Sequence, residues 1–154
     1  TVNHTFWQTQ FGPVVVPASV APWTPARAYA LTDVNLENER AFRQYREMGT
    51  ARDLEEFRDV LNRHAGLPWV NTIAADAKGN AYYGDVGSMP HVTNAKLAAC
   101  IKPGISAALA ASRVYALDGS TSACDPGTDA DSPVPGVFGA SSMPSTLRRD
   151  YAQN

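Results

Sequence analysis

The chain has 154 residues, of which 44% are hydrophobic and 18% are charged, and its formal net charge is −2. This composition is that of an ordinary soluble protein, and the length suits one domain or a large part of one. The near balance of acidic and basic residues excludes a broad basic surface for nucleic acid. No apolar run approaches the ~20 residues that a membrane-spanning helix needs.

The chain opens with sequence typical of strands. Residues 5–16 contain aromatic residues and a Val-Val-Val run, and they predict a strand that Gly12-Pro13 interrupts with a bend or bulge. The proline-rich stretch 16–25 predicts a surface loop. Residues 29–34 (YALTDV) then predict a second, short strand.

Two amphipathic helices are predicted next, at 38–48 and 53–64. Apolar residues recur along both segments at helical spacing, which predicts one buried face on each helix. In the first helix these residues are Ala41, Phe42, Tyr45 and Met48, and in the second they are Leu54, Phe57, Val60 and Leu61. Thr50 is placed to cap the second helix, and Gly66 is placed to stop it.

A β-hairpin is predicted after the helices, with strands at 69–75 and 80–86 around the turn residues Gly79-Asn80. Trp69 follows Pro68 directly, and we expect it to enter the first strand and to point inward, since bulky aromatic side chains fill cores by default. We also expect this hairpin to share one sheet with the opening strand of the chain.

The composition changes after the hairpin. Residues 90–144 have few large apolar residues and many Ala, Ser, Gly and Pro. They predict short helices at 96–99 and 105–117, and a loop at 119–142 that is long for an ordinary connection.

Candidates for catalysis are few. His4, His64 and His91 are far apart and have no His or acidic partner at metal-ligand spacing, so surface or helix-capping roles are expected. An N-terminal Thr can act as a nucleophile with its own amine as base, which makes Thr1 a candidate. The chain contains no Gly-x-Ser-x-Gly motif.

One acidic cluster has a composition that suits calcium. It consists of Asp125, Asp129 and Asp131. The fixed Gly and the terminal Glu of an EF-hand are missing, so no metal is expected there.

Four segments, taken in order and spacing, resemble one protein family. They are TQFGPVV at 9–15, YALTDVNLEN at 29–38, GLPWVNTIAAD at 66–76 and LRRDYAQN at 147–154. Together they are similar to the β-subunit of penicillin-acylase-family N-terminal-nucleophile hydrolases. Within that family the resemblance points to acyl-homoserine-lactone acylases and aculeacin-type lipopeptide acylases.

The resemblance implies an α+β fold that is part of a four-layer αββα N-terminal-nucleophile hydrolase sandwich. Residues 1–154 would then be a fragment of the β-subunit. Its parts would be a sheet and two helices at 1–90, an Ala/Gly/Ser/Pro-rich insertion at 91–145, and a return to the sheet at 146–154.

The resemblance also implies a mechanism. In the family a precursor is cut, the new N-terminal Ser attacks an amide carbonyl, and an acyl-enzyme forms and is hydrolysed. A backbone N–H and an Asn side chain hold the oxyanion. By the motif positions, that Ser lies upstream of Thr1, and Asn154 is adjacent to the expected oxyanion Asn. We therefore expect no catalytic residue in this chain and no activity of the chain alone.

Substrate-binding positions do carry over from the resemblance. Tyr45 and Trp69 match aromatic positions that line the acyl pocket, and Leu31 and Val70 are weaker candidates. An apolar pocket suits a fatty acyl chain, because each buried methylene contributes ~0.8 kcal/mol. The implied substrate is an acyl-homoserine lactone, a lipopeptide or a penicillin.

A secreted or periplasmic location follows from the same resemblance. In that context the two cysteines, Cys100 and Cys124, are expected to form a disulfide, and the alternative is two free thiols. No cofactor is implied, and the family's calcium ligands cannot be mapped on this sequence. The implied partners are the remaining α and β segments of the precursor and a small acylated substrate, without nucleic acid or membrane.

Two alternatives to the acylase fragment stay open. One is a non-catalytic module that binds a ligand or partner through aromatic pockets. The other is a complete small enzyme that uses Thr1 as its nucleophile.

Overall fold

The computed structural model describes residues 2–15, 22–109 and 114–149. The chain divides into two compact units, each made of two segments: unit 1 joins residues 1–33 to 92–125, and unit 2 joins residues 34–91 to 126–154. In the described part of the chain, no helix has the length and apolar character required to cross a membrane.

The described elements are four α-helices, six β-strands and two short 3-10 helices. The strands are β1 (Gln8–Thr9), β2 (Gly12–Val15), β3 (Tyr29–Ala30), β4 (Thr72–Ala75), β5 (Ala81–Gly84) and β6 (Ser145–Arg148). The helices are α1 (Arg40–Met48), α2 (Leu54–His64), α3 (Asn94–Cys100) and α4 (Pro103–Leu109), and the 3-10 helices are Ser122–Cys124 and Ala140–Ser142.

The predicted opening strand is a hairpin. β1 and β2 pair antiparallel, with Thr9 opposite Gly12, and the chain turns at residues 10–11. Gly12 has φ +126, and a Cβ there would lie 2.1 Å from the carbonyl oxygen of Leu31, so the close approach requires glycine. The second predicted strand, 29–34, is reduced to β3, which pairs antiparallel with β2.

The disulfide between Cys100 and Cys124 is present in unit 1. It joins the end of α3 to the 3-10 helix Ser122–Cys124. Lys96, in the first turn of α3, reinforces this junction by donating from Nζ to the carbonyl oxygens of Ala123 and Asp125. The helix predicted at 105–117 is α4 within the described residues, and it starts earlier because Pro103 suits the first turn of a helix.

The core of unit 2 lies between the two predicted helices and the second sheet. Its buried members are Leu54, Leu61, Ala65, Leu67, Tyr82, Val86 and Met143. The predicted inward face of α2 is confirmed, since Leu54, Val60 and Leu61 are buried and Phe57 packs against this core.

Both ends of α2 differ from the prediction. Asp53, not Thr50, caps the helix, because the backbone N–H of Glu56 donates to Asp53 Oδ1 at 2.9 Å. The hydroxyl of Thr50 instead donates to the carbonyl of Glu47 at the end of α1. The left-handed residue that ends α2 is Ala65, with φ 37 and ψ 44, rather than Gly66.

The predicted inward face of α1 is wrong. Phe42 is 80% exposed and Tyr45 is 59% exposed, while Gln44 is fully buried. Only Met48 of the larger predicted residues packs against the core. The helix turns Gln44 inward because its amide binds backbone that no apolar side chain could satisfy.

The hairpin predicted at 69–86 is confirmed, with shorter strands. β4 and β5 pair antiparallel, and β6 pairs antiparallel with β5, so that Tyr82 lies opposite Leu147. The expected single sheet is wrong for the described strands, which form two three-stranded sheets, β1-β2-β3 and β4-β5-β6. Each described strand finds its hydrogen-bond partners within its own unit.

Candidate functional site

The four substrate-binding positions expected from the sequence are all at least partly exposed. Tyr45 and Trp69, which we call the aromatic set, belong to unit 2 together with Val70, and Leu31 belongs to unit 1. Leu31 and Val70 are about half exposed. Thr1 and Asn154 lie outside the described residues.

Trp69 does not enter a strand. It precedes β4 by three residues, has φ 58 and is 86% exposed, which contradicts the expected inward position. Among the described non-glycine residues, positive φ occurs only at Ala65 and Trp69. A bulky residue in the left-handed region carries backbone strain, and such strain persists only where the surrounding structure holds it.

The backbone in front of Trp69 is held on several sides. The N–H of Gly66 donates to Gln44 Oε1 at 2.7 Å, and the carbonyl of Gly66 accepts from Asn38 Nδ2 at 2.7 Å. The carbonyl of Leu67 accepts from the N–H of Ser88 at 2.9 Å. We call the two side-chain bonds of Asn38 and Gln44 to Gly66 the Gly66 clamp.

Two glycines allow the close packing around this segment. A Cβ on Gly66 would lie 2.9 Å from the backbone N of Ala41, and a Cβ on Gly87 would lie 2.3 Å from the carbonyl oxygen of Leu67. Arg40 adds a bond from Nη2 to Ser88 Oγ at 3.2 Å, and burial lowers the pKa of Arg40. The start of α1 is therefore fixed to the Gly66 segment.

His91 and Asp129 form a pair that the sequence did not reveal. His91 Nε2 lies 2.9 Å from Asp129 Oδ1, and the His91 ring packs on Phe138 with centroids 4.3 Å apart. The N–H of Gly139 and the His91 side chain both hold the pKa of Asp129 below its ordinary value, and the Gly139 bond is the larger cause. A Cβ on Gly127 would lie 2.5 Å from His91 Nδ1, so backbone covers that nitrogen.

A His–carboxylate pair can serve as an acid–base group when the second ring nitrogen faces substrate. Here His91 Nδ1 is buried and has no hydrogen-bond partner among the described residues. The pair instead joins residue 91 to the loop of residues 126–139, where Gly127 N–H also donates to the carbonyl of His91. We assign this pair a structural role.

A second His–carboxylate group links the two helices of unit 2. Glu47 Oε2 accepts from Arg63 Nη2 at 2.6 Å and lies 2.9 Å from His64 Nε2. The His64 contact, followed by the Arg63 contact, lowers the pKa of Glu47. The expected capping role of His64 is thus replaced by a contact from the end of α2 to α1.

Two of the three acidic residues considered for calcium already bind other groups. Asp131 accepts from the backbone N–H and the hydroxyl of Ser141, both at 2.9 Å. Asp129 is bound to His91, and Asp125 belongs to unit 1. Within residues 2–15, 22–109 and 114–149, no three His, Cys, Asp or Glu side chains are grouped so that they could hold a metal ion.

An open cleft of about 440 Å³ lies on unit 2. It is lined by Asn62, Arg63, Asp131, Ala140, Ser141, Met143 and Ser145. Its charged side chains already have partners, since Arg63 binds Glu47 and Asp131 binds Ser141. The cleft therefore offers little free charge for a ligand.

A chain of side-chain bonds connects the β4–β5 turn to the end of β6. Asn80 Nδ2 donates to Asp76 Oδ2 at 2.6 Å, and Arg149 Nε donates to Asn80 Oδ1 at 3.2 Å. Asn80 also lowers the pKa of Asp76 through its side chain and its backbone N–H. Arg149 of the family-like segment 147–154 therefore binds the β4–β5 turn, which follows the family-like segment 66–76.

Comparison with known proteins covers the whole chain. The penicillin amidase family model matches residues 1–154. Aculeacin-A acylase from Actinoplanes utahensis is 49% identical over 153 residues, which are 99% of this chain and 20% of that protein. Acyl-homoserine lactone acylase PvdQ from Pseudomonas fluorescens is 39% identical over 152 residues, which are 99% of this chain and 19% of that protein.

A PvdQ acylase from Pseudomonas savastanoi pv. phaseolicola is also 39% identical, over 153 residues. The chain therefore spans about a fifth of the length of the curated relatives that it matches.

Proposed function

This chain belongs to the penicillin amidase family, and from that premise we propose that it is an internal β-subunit segment of an acylase that hydrolyses the amide bond of an N-acyl substrate. The resemblance stated from the sequence, including its aculeacin-type branch, is confirmed. The relatives bear the names of acylases, which supports amide hydrolysis as the reaction. The share of their length that the chain covers, about a fifth, supports a segment of a larger precursor.

We propose that the fold is part of the four-layer αββα sandwich, with residues 91–145 as an insertion and 146–154 returning to the sheet. The described chain has a mixed α/β fold with two antiparallel sheets and four helices. The pairing of β6 with β5, although the two strands are distant in sequence, supports a return of the chain to the sheet after residue 145. Residues 1–90 would supply two helices and the other five described strands, of which β4 and β5 share the sheet of β6 and β1 to β3 form the separate sheet.

The proposed chemistry uses groups outside this chain. The N-terminal Ser of the β-subunit attacks the amide carbonyl, its amine accepts the proton, the amine product leaves, and water hydrolyses the acyl-enzyme. A backbone N–H and an Asn just beyond Asn154 stabilise the oxyanion. The remaining α and β segments of the precursor are the proposed partners, and the isolated chain is inactive.

The observation that carries the binding part of this proposal is the exposure of the aromatic set. Tyr45 stands on a helix whose inward side is taken by Gln44, and Trp69 stands outward on a strained, held backbone. An exposed aromatic side chain loses water-exposed area when an apolar acyl chain covers it, and this supports a binding role for Tyr45 and Trp69. We assign Tyr45, Trp69 and Val70 of unit 2 to the acyl-chain site, and Leu31, in unit 1, is a separate and weaker substrate-binding candidate.

The proposed substrate is a fatty-acyl amide. One matching relative is named for aculeacin A and others for acyl-homoserine lactones, and we carry both substrate classes to this chain with penicillin as the third. A secreted or periplasmic location is proposed as well, since the Cys100–Cys124 disulfide persists in oxidising compartments.

The test compares the full-length precursor that contains this segment with the isolated chain. We expect the processed full-length protein to release fatty acid from an N-acyl-homoserine lactone or an N-acyl p-nitroanilide, and the isolated chain to release none. Failure of the processed protein on every acyl amide, together with saturable binding of one of them, would favour the non-catalytic binding module. Turnover by the isolated chain that Thr1→Ala abolishes would favour the small-enzyme alternative.

A further inference from the structure

In the Gly66 clamp of unit 2, two side chains bind the backbone of one residue, one at its N–H and the other at its carbonyl. Gln44 Oε1 accepts the N–H of Gly66, and Asn38 Nδ2 donates to its carbonyl, each at 2.7 Å. Gln44 is fully buried although it lies between exposed Phe42 and Tyr45 on the same helix. A buried amide in this position serves a backbone group that would otherwise be unpaired.

The clamp also has a geometric consequence. The residues on its two flanks, Ala65 and Trp69, are the two described non-glycine residues with positive φ. Between them, the carbonyl of Leu67 is bound by the N–H of Ser88, and Leu67 itself is buried. A left-handed tryptophan is maintained only where the surrounding structure over-determines the backbone, and the clamp supplies part of that constraint three residues before Trp69.

The clamp connects both aromatic residues of the proposed acyl site. Gln44 directly precedes Tyr45 on α1, and Gly66 precedes Trp69 by three residues. A bond between Gln44 and Gly66 therefore fixes the backbone that carries Tyr45 relative to the backbone that carries Trp69.

We infer that Gln44, with Asn38, is a positioning residue that sets the acyl-chain specificity of this site. Both side chains bind Gly66, and these bonds fix the position of the Tyr45 backbone relative to the Trp69 backbone. The inference rests on the proposed function, because it assigns a role within the acyl-chain site. Gln44 and Asn38 act through the aromatic residues and not on the reacting amide. They should therefore affect the binding of the distal part of a long acyl chain and leave the chemical step unchanged.

The experiment uses the processed full-length protein with butanoyl and dodecanoyl p-nitroanilides. Gln44→Met keeps side-chain volume but removes the acceptor for Gly66, and we expect it to raise KM for the dodecanoyl substrate about tenfold and for the butanoyl substrate less than about twofold. Asn38→Ala, which loosens the other side of Gly66, should shift the ratio in the same direction as Gln44→Met.

The matched control is Arg43→Met, which introduces the same residue at the adjacent, exposed position of α1. It should leave both KM values unchanged. KM does not depend on the amount of folded enzyme, so a variant that folds poorly lowers the rate for both substrates without changing the ratio of their KM values. A purely structural role of Gln44 would give that result and overturn the inference.

A parallel Trp69→Ala variant separates the inference from the proposed function. If Trp69→Ala shifts the KM ratio and Gln44→Met does not, the clamp inference is wrong and the acyl site stands. If Trp69→Ala leaves the ratio unchanged, the proposed acyl site is wrong and the inference falls with it. A wild-type protein that hydrolyses no acyl amide overturns the proposed function directly.

Discussion

The two units are stabilised in different ways. Unit 2 has an apolar core that includes Leu61, Leu67 and Val86, each at most 3% exposed. Among the described residues of unit 1, the buried apolar side chains are Ile105 and the two bridged cysteines. The described part of unit 1 therefore relies on a covalent cross-link and local hydrogen bonds, whereas that of unit 2 relies on apolar burial. A small apolar core is commonly supplemented by a disulfide in this way.

The largest expected effect is on the core of unit 2. Leu61→Ala removes a fully buried side chain, and we expect it to lower the free energy of unfolding of unit 2 by about 2–5 kcal/mol. Hydrogen exchange at the amides of α2, measured at increasing urea concentration, would give the decrease in the free energy of unfolding. Leu147→Ala, the same substitution at a half-exposed position of β6, should cost less than about 1 kcal/mol. If both variants lowered the free energy of unfolding equally, burial of Leu61 would not be what stabilises unit 2.

Removal of the disulfide tests whether unit 1 depends on this cross-link for its stability. The cysteines are separated by 24 residues in sequence, and opening a loop of this size costs about 3 kcal/mol in the chain-entropy model. The double variant Cys100→Ala with Cys124→Ala should lose amide protection in α3. The amides of α2 should keep theirs, because the cross-link lies wholly within unit 1. Loss of protection in α2 to the same degree would show that the units are not stabilised independently.

The substrate-binding positions allow a functional comparison of the units. Trp69→Ala, in unit 2, should raise KM for a dodecanoyl amide about tenfold and for a butanoyl amide much less, since buried acyl methylenes supply the binding energy. Leu31→Ala, in unit 1, removes a smaller and half-exposed side chain and should have a smaller effect of the same kind. Steady-state kinetics of the processed full-length protein would measure both. A larger effect from Leu31 would contradict the assignment of the acyl-chain site to unit 2.

The smallest expected effect concerns acid sensitivity. In unit 1, hydrogen bonds from the Lys102 ammonium and then from Ser120 lower the pKa of Asp118 from 3.8 to about 2. A lowered pKa means that this stabilisation is complete above the unfolded value and is lost as the pH falls through about 2. Carboxyl resonances followed by NMR should show Asp118 titrating near that value.

Asp118→Asn is the control for the acid titration of unit 1. It should remove the contribution of Asp118 to the dependence of unit 1 stability on pH between 3.8 and about 2. In unit 2, the pKa values of Glu47 and Asp129 are also lowered, so their contributions are likewise lost only at acidic pH. An Asp118 resonance that titrates at the ordinary value would show that the bond to Lys102 does not form in solution.

The sequence predicted elements well where a local signal was sufficient. The apolar face of α2 follows directly from the spacing of Leu54, Val60 and Leu61, and the β4–β5 hairpin follows from its Gly-Asn turn. The two cysteines predicted the bridge only together with the secreted context that the family resemblance implies. Helix ends were predicted less well, since Asp53 and Thr50 are both acceptable caps and only the backbone geometry selects Asp53.

The site depended on contacts that no local signal encodes. Helical spacing predicted that Phe42 and Tyr45 point inward. The buried side of α1 instead faces the backbone N–H of Gly66, which needs a hydrogen-bond acceptor, and Gln44 supplies it. His91 and Asp129 are separated by 38 residues, and Asn80 and Arg149 by 69, so neither pair appears as a motif. Hydrophobic periodicity predicts which apolar side chains are buried. It does not predict polar side chains that bind backbone groups distant in sequence.

By itself the sequence determined the family, the helical segments, the hairpin and the cysteine pair, because each depends on residue identity at short spacing or on motifs in fixed order. Only the tertiary structure decided which side of α1 is buried, that the described strands form two sheets, and that Trp69 stands outward on a held, left-handed backbone. These features are set by hydrogen bonds between groups that are distant along the chain. Such bonds form only after folding brings the groups together.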